Sequence, residues 1–324
     1  MKISVLGAGA LGSAIGGTLQ EAGAQVTLIN RSPAFVAAVR RDGLILRDGG
    51  VDRRVAIAAA TSCAGLAPAD LVIVLVKSFH TREAIAAATP IIGPDTLVLS
   101  LQNGLGHEDI LAEAVGRERV LAGKTYVGGV LLAPGHVIAG VRGKETLIGE
   151  LAGGVSARAE RIAAFFSAAG LTTRVSADIV ATIWDKLLVN VATGALSAIT
   201  RLTYGELYAV PELRDTALAA VAEAMAVARA RGVRLGISAP QQAWDKAGAG
   251  LPAEFKASML QSLEKGSLTE IDYINGAVVR CGAQCGVATP VNAALVACVK
   301  GIERRLLRDS GQLPAPTASS GDQP

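Results

Sequence analysis

The chain has 324 residues, of which 51% are apolar and 3% aromatic, and its formal net charge at pH 7 is +3. This length and apolar content suit two domains with buried cores. The small charge and few aromatic side chains argue against a nucleic-acid surface, and no apolar run reaches the ~18 residues that span a bilayer. We therefore expect a cytoplasmic protein that acts on small molecules, with no nucleic-acid or membrane partner. No metal site is expected, because the three histidines, His80, His107 and His136, are far apart in the sequence.

The chain begins with a short apolar strand that ends in the pattern G-x-G-x-x-G, at Gly7, Gly9 and Gly12. In such turns the first glycine permits a sharp bend, the second lets the backbone approach a pyrophosphate, and the third lets helix and strand pack closely. An amphipathic helix and a second apolar strand, Gln25 to Ile29, follow. This context favours a dinucleotide site over a secretory signal, because glycines interrupt the would-be apolar core. The residues predicted to contact the cofactor here are Gly7, Ala8, Gly9, Ala10, Leu11 and Gly12.

The second strand ends in Asn30-Arg31-Ser32, where NAD-preferring sites usually carry an acid that holds the ribose hydroxyls. No acid is present in this stretch. A carboxylate would repel a 2′-phosphate, whereas Arg31 can pair with it, so the stretch predicts NADP (NADPH) as the cofactor. The alternative is that Arg31 is a solvated loop residue.

Two buried strands, Asp70 to Val76 and Thr96 to Leu101, deliver polar side chains at their carboxyl ends. Ligands of parallel sheets bind beyond those ends, so Lys77 and Asn103 are predicted to meet the nicotinamide half and the substrate. The alternatives are a surface lysine and a simple Asn-Gly turn. Between these strands and Gln25 to Ile29, two further strand-like pieces, residues 44–47 and 54–58, are predicted to fill the same sheet.

Short alternating stretches between Val120 and Glu150 predict antiparallel strands added to the edge of the sheet. A helix and a last strand then close the first domain, which we place at residues 1–177. From there the apolar period is helical, which predicts an all-α second domain over residues 178–310. Residues 311–324, with three prolines, are predicted to form a disordered tail.

Polar residues in the second domain stand out against apolar helices. Lys186 and Asn190 lie one turn apart on a helix that is apolar almost all round. A buried ammonium without a partner is costly, so Lys186 implies either an ion pair or a catalytic role. Glu270 could contact a ligand or cap a helix, because the patterns around Ser267 and Glu270 also fit a capping box that opens the next helix.

At Lys186 and Asn190, followed by Ser258 and the run from Glu270 to Gly276, the chain resembles the ketopantoate reductase (2-dehydropantoate 2-reductase) family. The glycine-rich turn, Lys77 and Gln102-Asn103-Gly104 extend the resemblance over nearly everything except the tail. It implies an α/β Rossmann-like N-terminal domain with a mixed, mostly parallel sheet, an all-α C-terminal domain, and an active site in the cleft between them.

The resemblance also implies roles for individual residues. Lys186 would be the general acid and contact the substrate, and Asn103 would lie near the nicotinamide and the substrate. Asn190 and Ser258 would contact the substrate, and Glu270 would lie where cofactor and substrate meet. The family often has a second asparagine in an Asn-Pro pair one turn beyond the first, where this chain has Gly194-Ala195.

The predicted activity is NADPH-dependent reduction of a 2-oxo acid, ketopantoate to pantoate, a step of pantothenate biosynthesis. Hydride delivery leaves alkoxide character on the carbonyl oxygen, which the ammonium of Lys186 can stabilise and protonate. Gly194 keeps open a related reductase acting on another 2-oxo or 3-hydroxy acid. A non-catalytic NADP sensor is the alternative from another class, and a homodimer is compatible with the sequence.

Overall fold

The structure, a computed structural model, describes residues 1–312 of the chain. It contains two compact units, the first being Met1–Lys186 and the second beginning at Leu187. The division falls within one continuous helix, Ile179–Thr200. The domain boundary predicted after residue 177 therefore stays a prediction. Of the tail predicted at residues 311–324, residues 313–324 lie outside the described part of the chain.

The first unit is an α/β structure with two sheets. Its strands are β1 (Lys2–Leu6), β2 (Gln25–Ile29), β3 (Leu44–Asp48), β4 (Val51–Val55), β5 (Ala58–Ala60), β6 (Leu71–Val74), β7 (Leu97–Ser100), β8 (Val120–Thr125), β9 (Gly128–Ala133), β10 (His136–Gly140), β11 (Thr146–Glu150) and β12 (Thr173–Val175). The main sheet has the order β12-β11-β8-β7-β6-β1-β2-β5. Its neighbours all run parallel except β8 and β11. This confirms the predicted mixed, mostly parallel sheet.

A second sheet, in the order β4-β3-β10-β9, corrects two predictions. Strands β3 and β4 do not fill the main sheet; they form a hairpin whose β3 pairs in parallel with β10. Of the strands after Val120, β8 runs parallel to β7 inside the main sheet, and β9 and β10 leave it. The arrangement buries both faces of the helix that follows the glycine turn, because Ile15 shares one buried cluster with Leu28 of the main sheet and Leu46 of the second.

The helices of the first unit cover the main sheet. They are α1 (Ala10–Glu21), α2 (Pro33–Asp42), α3 (Thr81–Ala87), α4 (His107–Val115) and α5 (Ala157–Ala168). The hydroxyl of Ser32 accepts a hydrogen bond from the Phe35 N–H at 3.3 Å and caps α2, which Pro33 opens. Helix α3 ends at Ala87, and a 3₁₀ turn at Thr89–Ile91 follows it with Pro90 in its first turn.

The second unit is helical throughout its described residues, as predicted. Helix α6 (Ile179–Thr200) enters it, followed by α7 (Tyr204–Tyr208), α8 (Pro211–Ala230), α9 (Pro240–Gly248), α10 (Ser258–Glu264), α11 (Asn275–Cys285) and α12 (Pro290–Asp309). The carboxylate of Glu223 on α8 accepts the backbone N–H groups of Val291 and Asn292 at 2.8 and 3.0 Å. It therefore caps the positive end of α12 from a neighbouring helix.

Helix α6 is long and apolar enough to cross a membrane by length and composition alone. Of its most apolar window, however, 67% is buried inside the protein. Such burial is also seen in the core helix of a globular unit, so the pattern is weak evidence for a membrane span.

Candidate active site

In the glycine turn between β1 and α1, packing within the protein excludes a side chain at two of the three glycines and allows one at the third. Gly7 has a φ of +91°, and a Cβ there would lie 2.4 Å from the backbone nitrogen of Val76. A Cβ on Gly12 would lie 2.4 Å from the carbonyl oxygen of Gly7. A Cβ on Gly9 would meet nothing within 4 Å. The second glycine therefore leaves space beside the turn that no atom of residues 1–312 fills.

The start of α1 has the features of an anion site. Gly9 is its N-cap and offers no capping side chain, and no acidic residue lies in the first turn. The helix dipole and the first backbone N–H groups, at Ala10 to Gly12, would therefore receive an anion without a competing carboxylate from their own helix. The Asn30 side chain donates to the carbonyl oxygen of Ala8 at 2.7 Å and ties the turn to the end of β2. These residues fit the pyrophosphate of a dinucleotide.

Arg31 lies at the end of β2 and has charged neighbours that the local sequence did not predict. Its Nη2 atom lies 3.0 Å from His80 Nε2, and its Nη1 atom lies 3.5 Å from Glu83 Oε2. Glu83 belongs to α3, so the acid that is missing from the loop after β2 is supplied from elsewhere in the chain. The Arg31 and Glu83 side chains are each 67% exposed, so the pair is open to a ligand.

Lys77 and Asn103 follow neighbouring strands, as the sequence predicted. Lys77 is exposed in the loop after β6, at the N-cap of a 3₁₀ turn over Ser78–His80. The backbone oxygen of Asn103 lies 2.8 Å from His107 Nε2 and accepts from the Ser78 hydroxyl at 3.5 Å. The structure thus connects the two loops through Ser78, and His107, the first residue of α4, fixes the Asn103 backbone. Sequence reasoning missed this role of His107, because nothing near it predicted the helix.

A second buried link holds the same loops. The Gln102 side chain donates to the carbonyl oxygen of Val76 at 2.9 Å and to the Thr81 hydroxyl at 2.8 Å. Next to His107, burial raises the pKa of the Glu108 carboxyl to about 7. The Gln102 and Glu108 side chains are both buried, so buried contacts hold the backbone on both sides of Asn103 in place.

Lys186 is half-buried on α6, and its ammonium has defined neighbours. Its Nζ donates to the backbone oxygen of Thr125 at 2.6 Å and lies 5.4 Å from the centre of the Tyr126 ring. Lys124, which is only 9% exposed, lies on the same ring at 5.0 Å, and its Nζ donates to the carbonyl oxygen of Thr182 at 3.3 Å. Sequence reasoning found Lys186 and missed Lys124 and Tyr126, which sit in no recognised motif.

The predicted residues of the second unit lie on separate elements. Asn190 is half-buried one turn after Lys186 on α6, and Ser258 is exposed at the first position of α10. Glu270 is half-buried at the N-cap of a 3₁₀ turn, Ile271–Tyr273, and makes no capping hydrogen bond there. The capping-box interpretation is wrong, because the Ser267 N–H donates to the carbonyl oxygen of Ser262 at 2.9 Å. The next helix, α11, begins only at Asn275.

Gly194 is buried on α6, and a Cβ there would lie 3.3 Å from the Cε atom of Met259. That atom is the end of a flexible side chain, so a Cβ at position 194 would first contact a side chain that can move.

The described residues were also compared with the requirements of a metal site and of a separate ligand cavity. Among residues 1–312, no group of three or more His, Cys, Asp or Glu side chains is placed to hold a metal ion. A cavity of about 440 Å³ opens at the amino ends of β1 and β2, lined in part by Lys2, Gln20 and Gln25. It lies at the opposite end of those strands from the glycine turn and contains none of the predicted site residues.

The sequence matches two family models that together span most of the chain. Residues 3–153 match "Ketopantoate reductase PanE/ApbA", and residues 178–303 match "Ketopantoate reductase PanE/ApbA C terminal". The 2-dehydropantoate 2-reductase of Halobacterium salinarum is 36% identical over 305 residues, which cover 94% of this chain and 99% of that protein.

Two solved structures have the same fold over nearly their full length. A PanE/ApbA family ketopantoate reductase from Ralstonia eutropha is 36% identical with a TM-score of 0.87, covering 94% of this chain and 99% of that one. D-mandelate dehydrogenase, solved with NADH and anilino(oxo)acetate, is 30% identical with a TM-score of 0.88 and the same coverage. The likeness therefore extends to a relative whose structure contains the cofactor without a 2′-phosphate.

Proposed function

The chain belongs to the ketopantoate reductase family, and from that premise we propose that it reduces ketopantoate to pantoate with NADPH as the hydride donor. It is an oxidoreductase that uses a nicotinamide cofactor. The observation that carries the proposal is the ammonium of Lys186, held on the backbone oxygen of Thr125 within a chain that matches the family over residues 3–153 and 178–303. A cytoplasmic location and a homodimer stay predictions.

We propose that the cofactor lies along the carboxyl edge of the main sheet. The backbone of Gly7 to Gly12 would hold its pyrophosphate, which the empty space at Gly9 and the uncapped start of α1 support. Arg31 would pair with the 2′-phosphate, and Lys77, Asn103 and Glu270 would contact the remainder. When bound, the cofactor supplies the hydride, so the protein has to provide position and a proton.

Lys186 performs the acid step in this proposal. Its positive charge stabilises the negative charge that develops on the substrate's carbonyl oxygen, and one of its protons then completes the hydroxyl group. The bond to Thr125 O fixes one of the three N–H groups and thereby the direction of the others. The Thr125 hydroxyl is itself paired with that of Thr146 at 2.7 Å, so the strand end that orients Lys186 is held firmly.

Asn103, Asn190 and Ser258 are proposed to hold the substrate's polar groups. Gly194 removes one amide that family members often have, and this observation favours a second candidate, reduction of a different 2-oxo acid. The 30% identity to D-mandelate dehydrogenase, solved with anilino(oxo)acetate, points to acids that carry an aromatic group on the oxo carbon.

The test is NADPH oxidation with a panel of 2-oxo acids that contains ketopantoate and phenylglyoxylate, measured by loss of NADPH absorbance. Ketopantoate should give the highest kcat/KM. A much higher value for phenylglyoxylate would transfer the assignment to the second candidate. The matched control is Lys246→Met, which removes an exposed lysine of α9 and should leave turnover unchanged, while Lys186→Met abolishes most of it.

A further inference from the structure

We propose that His80 and Glu83 act with Arg31 as one charge-sensitive group, the cofactor trio, which sets how strongly this protein prefers NADPH to NADH. The inference rests on the proposed function and adds two specificity-determining residues to it. It starts from three contacts: Arg31 Nη2 to His80 Nε2 at 3.0 Å, Arg31 Nη1 to Glu83 Oε2 at 3.5 Å, and His80 Nδ1 to Glu83 Oε2 at 3.4 Å.

The cofactor trio lies beside the glycine turn. Arg31 follows β2, His80 follows β6, and these two strands flank β1 in the main sheet. The turn at the end of β1 is packed against the same segment, since Gly7 lies directly beside Leu75 and Val76. A dinucleotide seated on the turn therefore has the trio within the region where its adenosine half has to lie.

The contacts determine which nitrogen of His80 carries the proton. A guanidinium can only donate, so His80 Nε2 has to accept from Arg31. The proton of the neutral imidazole is then on Nδ1, which faces the Glu83 carboxylate. A protonated imidazole has no acceptor nitrogen, so protonation of His80 breaks its bond with Arg31 and leaves a second cation beside it.

Charge then links the trio to the 2′-phosphate. With His80 neutral, the trio carries one positive and one negative charge, and Glu83 competes with a phosphate for Arg31. With His80 protonated, it carries two positive charges and one negative. A phosphate monoester has a charge of about −1.5 to −2 at neutral pH, so its binding responds to both changes, whereas NADH carries an uncharged ribose hydroxyl at the same place.

Other charges around His80 have to be considered in a pH experiment. On α3, Arg82 is engaged with Glu113 of α4 at 2.9 Å, and Lys77 precedes His80 on the same segment. Neither lysine nor arginine changes its charge between about pH 5 and 8, where imidazoles titrate. The 2′-phosphate does titrate in this range and loses charge as the pH falls, so it opposes the effect expected from His80.

The experiment measures dissociation constants for NADPH and NADH with the full-length protein, at about pH 6 and about pH 8, where an imidazole is mostly charged and mostly neutral. The variants are Glu83→Gln and His80→Gln. Their matched controls are Glu113→Gln, which removes one charge from an equally exposed ion pair on α4, and His136→Gln, which removes an imidazole from the second sheet.

Glu83→Gln should tighten NADPH binding by about 2–5-fold at pH 8, the range expected when one exposed ion-pair partner is removed, and should not tighten NADH binding, because the ribose hydroxyl of NADH carries no charge. His80→Gln should reduce the pH response of NADPH binding relative to wild type, because glutamine cannot take up a proton, whereas His136→Gln should keep that response. Equal effects of Glu83→Gln and Glu113→Gln, or an unchanged pH response in His80→Gln, would overturn the inference.

A further variant separates this inference from the cofactor assignment. Arg31→Ala should abolish the preference for NADPH if Arg31 binds the 2′-phosphate. If it does so while the His80 and Glu83 variants behave like their controls, the trio fails and the cofactor assignment stands. If wild type and Arg31→Ala bind both cofactors equally well, the assignment of NADPH itself fails.

Discussion

Replacing the glycines of the turn one at a time separates structure from cofactor binding. In Gly7→Ala the new methyl lies 2.4 Å from the Val76 nitrogen, on a residue with φ of +91°. The left-handed backbone costs an alanine ~1–2 kcal/mol and the overlap adds ~1–3 kcal/mol, which together lower the free energy of unfolding by roughly 2–5 kcal/mol. At ~2–4 °C per kcal/mol for a unit of this size, Tm should fall by roughly 4–20 °C.

Gly9→Ala should behave in the opposite way. Its φ of −75° suits an alanine, and the methyl meets nothing within 4 Å, so Tm should stay within a few degrees of wild type. The methyl occupies the space proposed for the pyrophosphate, so NADPH affinity should fall at least about tenfold, which corresponds to ~1.4 kcal/mol.

The assay combines a thermal melt without cofactor and an NADPH titration for each variant. Gly301→Ala is the matched control, because Gly301 is an exposed helical glycine of α12 whose Cβ also meets nothing within 4 Å. It should change neither NADPH affinity nor stability by much. If Gly9→Ala bound NADPH as tightly as wild type, or melted as early as Gly7→Ala, the open space at Gly9 would not be a cofactor site.

Four further predictions concern single side chains. Lys186→Met should lower kcat by roughly 10² or more with NADPH affinity kept, and near-normal turnover would leave Lys186 a structural role. Glu270→Gln should lower kcat/KM while Tm holds, and unchanged kinetics would remove Glu270 from the site. Gly194→Asn should improve ketopantoate turnover, because it restores an amide that family members often have, and its Cβ would first contact the flexible side chain of Met259; no gain would favour another substrate. The pKa of Glu108, about 7, lies above its unfolded value, so this carboxyl lowers stability as the pH rises from about 4.5 through 7. Glu108→Gln should therefore raise the free energy of unfolding by about 1–3 kcal/mol at pH 8 and by little near pH 4.5. An equal gain at both pH values would refute the burial argument.

Local patterns predicted the parts of the fold that depend on neighbouring residues. The glycine spacing identified the turn, and the aliphatic run at Leu71–Val74 identified a strand buried in a parallel sheet. The second sheet escaped prediction because its central pairing joins β3 to β10, which are far apart in sequence. A strand pattern indicates that a segment is extended, but it does not specify its partner.

The same limit applies to the candidate site. Lys186 could be found because an ammonium on an apolar helix is unusual. Lys124 and Tyr126 could not, because their contact with α6 depends on how β8 packs. Glu83 could not be predicted as a neighbour of Arg31, because the packing of α3, and not the local sequence, places it there. The Ser267 capping box failed because the N–H it needed already bonds to the end of α10.

If Lys186 and NADPH together reduce ketopantoate, loss of Lys186 has to remove turnover without removing cofactor binding, and a single kinetic comparison can show this. It is the kcat/KM for ketopantoate with NADPH in wild type and in Lys186→Met, with phenylglyoxylate as the competing substrate and bound NADPH verified in both proteins. We expect that wild type prefers ketopantoate and that the variant loses roughly 10² or more in kcat while it still binds NADPH. Turnover of ketopantoate that survives in Lys186→Met, or a wild type that binds NADPH yet reduces no 2-oxo acid, would contradict it.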